Sequence, residues 1–167
     1  MRVLGLDPGF ATTGFGVVAR SGSAFHALAL GAIRTEPAAP HAVRLAALYD
    51  EIGSLLRAHE PDAVAVERVF FSTNVRTAMA VGQAAGVALA VAGGHGMPVF
   101  EYTPNEVKQA VAGFGSAPKR QVQQMVGAVL GLGTIVSPAD AADACALAIC
   151  HLNRSGLARA LSKAAAR

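Results

Sequence analysis

Cysteine is scarce in this 167-residue chain, which has only Cys145 and Cys150. They lie five residues apart in one helix-like stretch. That spacing turns them to different faces, so neither a disulfide staple nor a cysteine-rich metal site is supported. Such usage fits a reducing, cytoplasmic compartment. No signal peptide is expected, because Arg2 leads at once into a short apolar run ending in Asp7. Charge is sparse too: charged residues make up 15% of the chain against 53% apolar, the reverse of a disordered polypeptide. Long runs of large apolar side chains are also missing. Thr77 to Gly94 is nearly uncharged, but Ala and Gly dominate it and Gln83 interrupts it. This makes a poor membrane span and predicts instead a buried helix packed through small residues. The length suits one domain with a real core and excludes two large lobes.

What is present reads as a mixed α/β chain. Arg2–Asp7 predicts a buried strand, and Asp7-Pro8-Gly9 turns the chain after it. Phe15–Arg20 and Ala24–Arg34 predict two more strands around a Ser21-Gly22-Ser23 hairpin turn. Leu45, Leu48, Tyr49, Ile52, Leu55 and Leu56 recur at helical spacing between His41 and His59. Ala63–Glu67 is a fourth strand, a helix follows from Asn74 to Ala92, and Val99–Tyr102 is a fifth strand. Thr103-Pro104-Asn105-Glu106 is a capping box with proline at the first helical position. A further helix buries Val122, Met125, Val126 and Val129, and Ser137-Pro138 opens a last one reaching about Asn153. The first three strands, with short links, should pair antiparallel. The two that follow helices should lie parallel to the first through right-handed crossovers.

Four acids stand out against this pattern. Asp7 ends the first strand and Glu67 the fourth, so parallel neighbours would deliver both carboxylates to one edge of the sheet, where sites in open α/β sheets lie. Asp140 and Asp143 share one face of the last helix. Each has an ordinary reading: Asp7 as a turn residue, Asp140 as a helix cap with Ser137, Glu67 as a partner of Arg68 or Arg76. Together they are less easily dismissed, since four of only eleven acids fall at the ends or faces of buried elements. Clustered carboxylates repel and take up protons unless cations intervene, and an all-oxygen set suits Mg²⁺ or Mn²⁺. Two such ions about 4 Å apart can drive phosphodiester cleavage. Setting those four acids aside leaves 14 basic residues against 7 acidic ones. A basic body around an acidic focus fits a polyanion held next to metal ions.

The motifs carrying these residues are Leu4-Gly5-Leu6-Asp7-Pro8-Gly9 with Thr13-Gly14-Phe15-Gly16, Val66-Glu67-Arg68-Val69-Phe70, Phe100-Glu101-Tyr102, Val107-Lys108-Gln109, Gly113-Phe114-Gly115-Ser116-Ala117 and Asp140-Ala141-Ala142-Asp143-Ala144. In order and spacing, over nearly the whole chain, the series resembles the bacterial RuvC Holliday-junction resolvases. The resemblance implies a ribonuclease-H-like fold: a mixed five-stranded sheet, three strands antiparallel and two parallel, flanked by helices. It implies a homodimeric, metal-dependent endonuclease that resolves four-way DNA junctions by paired symmetric nicks in recombination and repair, leaving 5′-phosphate and 3′-hydroxyl ends. The catalytic acids and metal ligands it implies are Asp7, Glu67, Asp140 and Asp143, with Mg²⁺ (or Mn²⁺) as two ions per site. Lys108 and Lys119 fall on its junction-contacting lysines, and Phe70 on an aromatic beside the opened crossover, where a ring can stack on an unpaired base. Arg76 and Arg120 are further candidate DNA contacts. Partners would be four-way junction DNA, a second copy of the chain and branch-migration proteins of the RuvA and RuvB type, with no membrane.

On this reading residues 1–154 form one nuclease domain. Residues 155–167 form a basic tail, either a frayed helix or a disordered arm. Gly82 and Gly86 mark a candidate dimer contact, although packing within one subunit explains them equally well. Two rivals remain. Asp-x-Gly followed by Thr-Gly also opens actin-like ATPases and sugar kinases, but those need a second lobe. A catalytically silent nucleic-acid-binding module of the same fold has no need of four intact acids.

Overall fold

The computed structural model describes residues 1–68 and 75–165, with side chains as far as residue 156. Strands β1 (Arg2–Asp7), β2 (Thr12–Ser21) and β3 (Ala24–Arg34) come first. Then follow α1 (His41–His59), β4 (Ala63–Glu67), α2 (Val75–Gly94), β5 (Val99–Tyr102), α3 (Pro104–Ala112), α4 (Lys119–Val129) and α5 (Ala139–Ala165). The sheet order is β3-β2-β1-β4-β5. β1 to β3 pair antiparallel, while β4 runs parallel to β1 and β5 parallel to β4.

Alternation along the strands divides the core into two layers. Leu4, Leu6, Val17, Val64 and Val66 face Leu48, Ile52 and Leu56 of α1 and Ala84, Ala88 and Val91 of α2. Val3, Val18, Ala63 and Ala65 face α5. On that second face α5 lies directly on bare backbone. A Cβ on Gly5 would overlap the carbonyl oxygen of Ala144, and one on Gly14 would overlap that of Asp140. The glycines therefore admit the helix to a depth that alanine would forbid, and set its acidic first turn beside the end of β1. Cys145 and Cys150 are buried free thiols, with burial pushing them up to about 12 and about 11. They are protonated and inert.

Several expectations need correction. β2 begins at Thr12, ahead of Phe15, and Thr13 Oγ1 anchors its start by donating to the Gly9 carbonyl at 2.8 Å. Helix α2 is buried on one face only. Ala84, Ala85, Ala88, Val91 and Ala92 pack inward, while Val75 and Met79 are 69% and 62% exposed. α2 is long and apolar enough to cross a membrane by length and composition alone. Tyr49 and Met125 are exposed, because the buried stripes of α1 and α4 are Leu48-Ile52-Leu56 and Val122-Val126. α5 continues well past Asn153 to Ala165. Gly156 leaves room for the guanidinium of Arg20, and the Ala-rich sequence beyond it favours helix.

Candidate active site

β1 and β4 are in register with Leu6 opposite Val66. Asp7 and Glu67, one residue further along, leave adjacent parallel strands side by side on the α5 face. Their carboxyls come within hydrogen-bonding reach. Asp7 sits opposite Gly14 on β2, and the backbone of Asp140 rests on Gly14. Asp143 is one helical turn further along α5.

Asp7, Glu67 and Asp143 line a cleft of about 300 Å³ together with Lys108 and Lys119. Val107, Val122 and Leu147 supply its apolar wall. Lys108 is carried on α3, whose start is fixed by reciprocal capping. Thr103 Oγ1 accepts from the Glu106 N–H at 3.3 Å, and Glu106 Oε2 accepts from the Thr103 N–H at 2.8 Å. The same Glu106 pairs with Arg154 of α5 at 2.9 Å, tying α3 to the long helix. Lys119 is the first residue of α4, and its Nζ lies 2.7 Å from Asp143 Oδ2.

Electrostatics mark Asp7 as the centre of the site. Its pKa is pushed up to about 8, first by burial, then by the charge and hydrogen bond of Glu67, then by the charges of Asp143 and Asp140. Without a cation, the crowded Asp7–Glu67 pair therefore holds a proton more tightly than an isolated carboxyl does. Lys119 is shifted upward, chiefly through its hydrogen bond to Asp143. The carboxylates offer hard oxygen donors throughout, the set that suits a magnesium-class ion. The cage is not closed, however. Among the described residues no three acids, cysteines or histidines are drawn close enough to hold an ion as they stand. Asp143 is engaged by Lys119, and Asp140 is felt at Asp7 without lining the cleft.

The sequence-predicted residues thus separate into groups. Asp7, Glu67, Asp143, Lys108 and Lys119 come together. Asp140 stands beside them. Arg76, in the first turn of α2, and Arg120, next to Lys119, are exposed and outside the cleft walls. Phe70 lies outside the described residues. Neither Arg68 nor Arg76 forms the ion pair with Glu67 that the ordinary reading of that acid supposed. Instead Arg68 donates its backbone N–H to the Tyr102 carbonyl at 2.8 Å. The residues that sequence reasoning missed are Gly5 and Gly14 in their role as a platform for α5. The available signal was glycine inside strands, which marks a close backbone approach.

Residues 3–151 match the family model described as crossover junction endodeoxyribonuclease RuvC. The protein of that name from Pelotomaculum thermopropionicum is 52% identical over 151 residues, covering 90% of this chain and 92% of its own. A solved structure of Thermus thermophilus RuvC in complex with Holliday junction substrate is 37% identical, with a TM-score of 0.89 over 95% of this chain and 96% of that one. The yeast mitochondrial Holliday junction resolvase Ydc2 shares the fold, with a TM-score of 0.61 at 15% identity over 89% of this chain and 78% of its own. The five-stranded mixed sheet and its helices form a ribonuclease-H-like nuclease fold. With the motif series, the acidic cleft and the match over nearly its full length in agreement, the chain belongs to the RuvC family of crossover junction endodeoxyribonucleases.

Proposed function

We propose that this protein cuts four-way DNA junctions by metal-dependent phosphodiester hydrolysis, making paired nicks in recombination and repair. The observation that carries the reading is the pairing of Asp7 and Glu67 at the ends of parallel strands, in one cleft with Asp143, Lys108 and Lys119. Asp7, Glu67 and Asp143, with Asp140 alongside, would hold Mg²⁺ or Mn²⁺, two ions per site. Bound there, the ions supply the positive charge that lets Asp7 ionise and that polarises the scissile phosphate. The chain's own groups do the rest. Lys108 and Lys119 receive backbone phosphates at the cleft mouth, while the wall of Val107, Val122 and Leu147 keeps bulk water from one side. Phe70, next to the catalytic strand end in sequence, stacks on an unpaired base, and Arg76 and Arg120 add phosphate contacts outside the cleft.

The test is cleavage of a synthetic mobile four-way junction, with linear duplex and single strand as controls, in Mg²⁺, Mn²⁺ and EDTA. Symmetric nicks in the junction alone, lost in EDTA, are expected. Asp143→Asn should slow the single-turnover rate by about a hundredfold or more, as loss of one electrostatic stabiliser does. Tight junction binding without cutting in either metal would leave a silent binding module as the better reading.

A homodimer belongs to the same proposal, because two active sites related by a two-fold axis match the symmetry of paired nicks. Support comes from α2. Val75, Met79, Gly82, Gly86 and Leu89 recur at helical spacing and are exposed, and a Cβ on Gly82 or Gly86 would meet nothing within 4 Å. Packing inside one subunit therefore does not explain these glycines. Gly86→Arg is expected to turn the sedimenting species from dimer to monomer. An unchanged dimer would move the interface elsewhere. Branch-migration proteins of the RuvA and RuvB type remain the proposed partners, acting with the protein in the cytoplasm.

A further inference from the structure

We propose that Lys119 is an internal counter-ion that holds the cleft until a divalent cation displaces it from Asp143, the displaced ammonium then becoming free for a junction phosphate. The inference rests on the metal-dependent reading above. Lys119 is 63% exposed, and a lysine so exposed gains more rotamer freedom in water than in a fixed pair. Yet its side chain reaches back to Asp143, which is 24% exposed, and closes to 2.7 Å. The other charges in the vicinity explain the direction of that reach. Asp7, Glu67 and Asp143 line one cleft, Asp140 stands beside it, and the cations on its walls are Lys108 and Lys119. Among the described residues, Lys119 is the one of the two paired with a carboxylate.

Two ligands then compete for one carboxylate. A divalent ion at Asp143 would draw on the same carboxylate whose Oδ2 the ammonium holds at 2.7 Å, and the two positive charges repel each other there. While it is paired with Asp143, Lys119 in turn offers a phosphate fewer donors and a partly neutralised charge. Entry of the cation resolves both conflicts in one exchange, since Asp143 passes to the ion and Lys119 passes to the cleft mouth. Lys119 opens α4, and its long, largely exposed side chain has the rotamer freedom that such a swing uses. Cation binding and phosphate binding then favour each other by the same factor in either order.

The test uses the full-length protein without DNA. Calorimetric titration with Mn²⁺ is compared for the wild type, Lys119→Met and Lys108→Met. Lys119→Met is expected to bind Mn²⁺ about fivefold more tightly than the wild type, the scale set by an exposed ion pair. Lys108→Met, which removes a like charge from the same cleft, should gain less than about twofold. In parallel, the ¹⁵Nζ resonance of Lys119 should shift on Mg²⁺ addition and saturate with the calorimetric isotherm. Equal Mn²⁺ affinity in the wild type and Lys119→Met would overturn the exchange while leaving the metal site intact. An equal gain in both lysine variants would reduce it to general electrostatics and overturn it as well. A Lys119 signal unmoved at saturating Mg²⁺ would do the same. No Mn²⁺ binding by any of the three would remove the metal-dependent reading itself, and the exchange with it.

Discussion

Asp7→Asn is expected to cost about a hundredfold or more in junction cleavage and, in EDTA at pH 8, to make the protein more stable than the wild type. Both results come from one carboxyl. Asp7 is shielded from water and crowded by Glu67, Asp143 and Asp140, which raises its folded-state pKa to about 8 from 3.8. The sign of the stability effect follows directly. Below about pH 4 the group is protonated whether the chain is folded or not, and it costs nothing. Between about pH 4 and 8 the unfolded chain releases the proton while the folded chain retains it, so folding stability falls as pH rises. By pH 8 the accumulated loss is on the order of a few kcal/mol, or about 5–10 °C in Tm for a domain of this size.

Asparagine carries no proton to lose and can donate its amide to Glu67, so the variant escapes the penalty. In EDTA the wild-type Tm should decline from pH 5 to pH 8, while the Asp7→Asn curve stays flatter and crosses above it. Adding Mg²⁺ at pH 8 should restore the wild type and leave the variant nearly unmoved. A wild-type Tm that rises toward pH 8 in EDTA would show that the carboxyls are not crowded in the way described. Differential scanning calorimetry at four pH values, with and without Mg²⁺, is enough to decide.

Much of this site can be read without coordinates because its acids sit where elements end. A strand that stops at Asp7 and another that stops at Glu67 need only be parallel neighbours to meet, and the helix between β3 and β4 makes the parallel choice. The capping box at Thr103 and the bounds of α1, β1, β3 and β4 are likewise local properties, fixed by turn chemistry and periodicity. What escapes a linear reading is three-dimensional exclusion. Gly5 and Gly14 look like turn or motif glycines until α5 is laid over them. The sequence predicts α2 as a buried helix packed through small residues, but Ala and Gly stand on its outer face as well as its inner one, so composition alone does not tell which face is covered. The pairing of Lys119 with Asp143 joins residues 24 positions apart on different helices. Asp140 is the instructive intermediate: its sequence partner Asp143 enters the cleft, while Asp140 stays outside the cleft walls with its own backbone pressed onto Gly14.

Gly5→Ala should destabilise the protein by about 3 kcal/mol or more, at the upper end of overpacking effects, and should weaken Mg²⁺ binding as a separate consequence. The added methyl would overlap the Ala144 carbonyl and press on the Ala148 nitrogen. Both are backbone atoms of α5, so no side chain can rotate away and the helix must lift off the sheet. Lifting it breaks the packing of Ala141, Ala144 and Ala148 against β1 and β2 and carries Asp143 away from Asp7, so stability and cation affinity should fall together. A fall in Tm of about 10 °C is expected, with a several-fold weaker Mn²⁺ isotherm in whatever fraction remains folded. Gly93→Ala, in the last turn of α2 where a Cβ meets nothing within 4 Å, provides the contrast. It replaces glycine in a helix at an open position and should stabilise by up to about 1 kcal/mol. If Gly5→Ala instead melts within about 2 °C of the wild type, β1 tolerates a side chain beneath α5, and close backbone approach is not what carries Asp143 to the edge of the sheet where Asp7 and Glu67 lie.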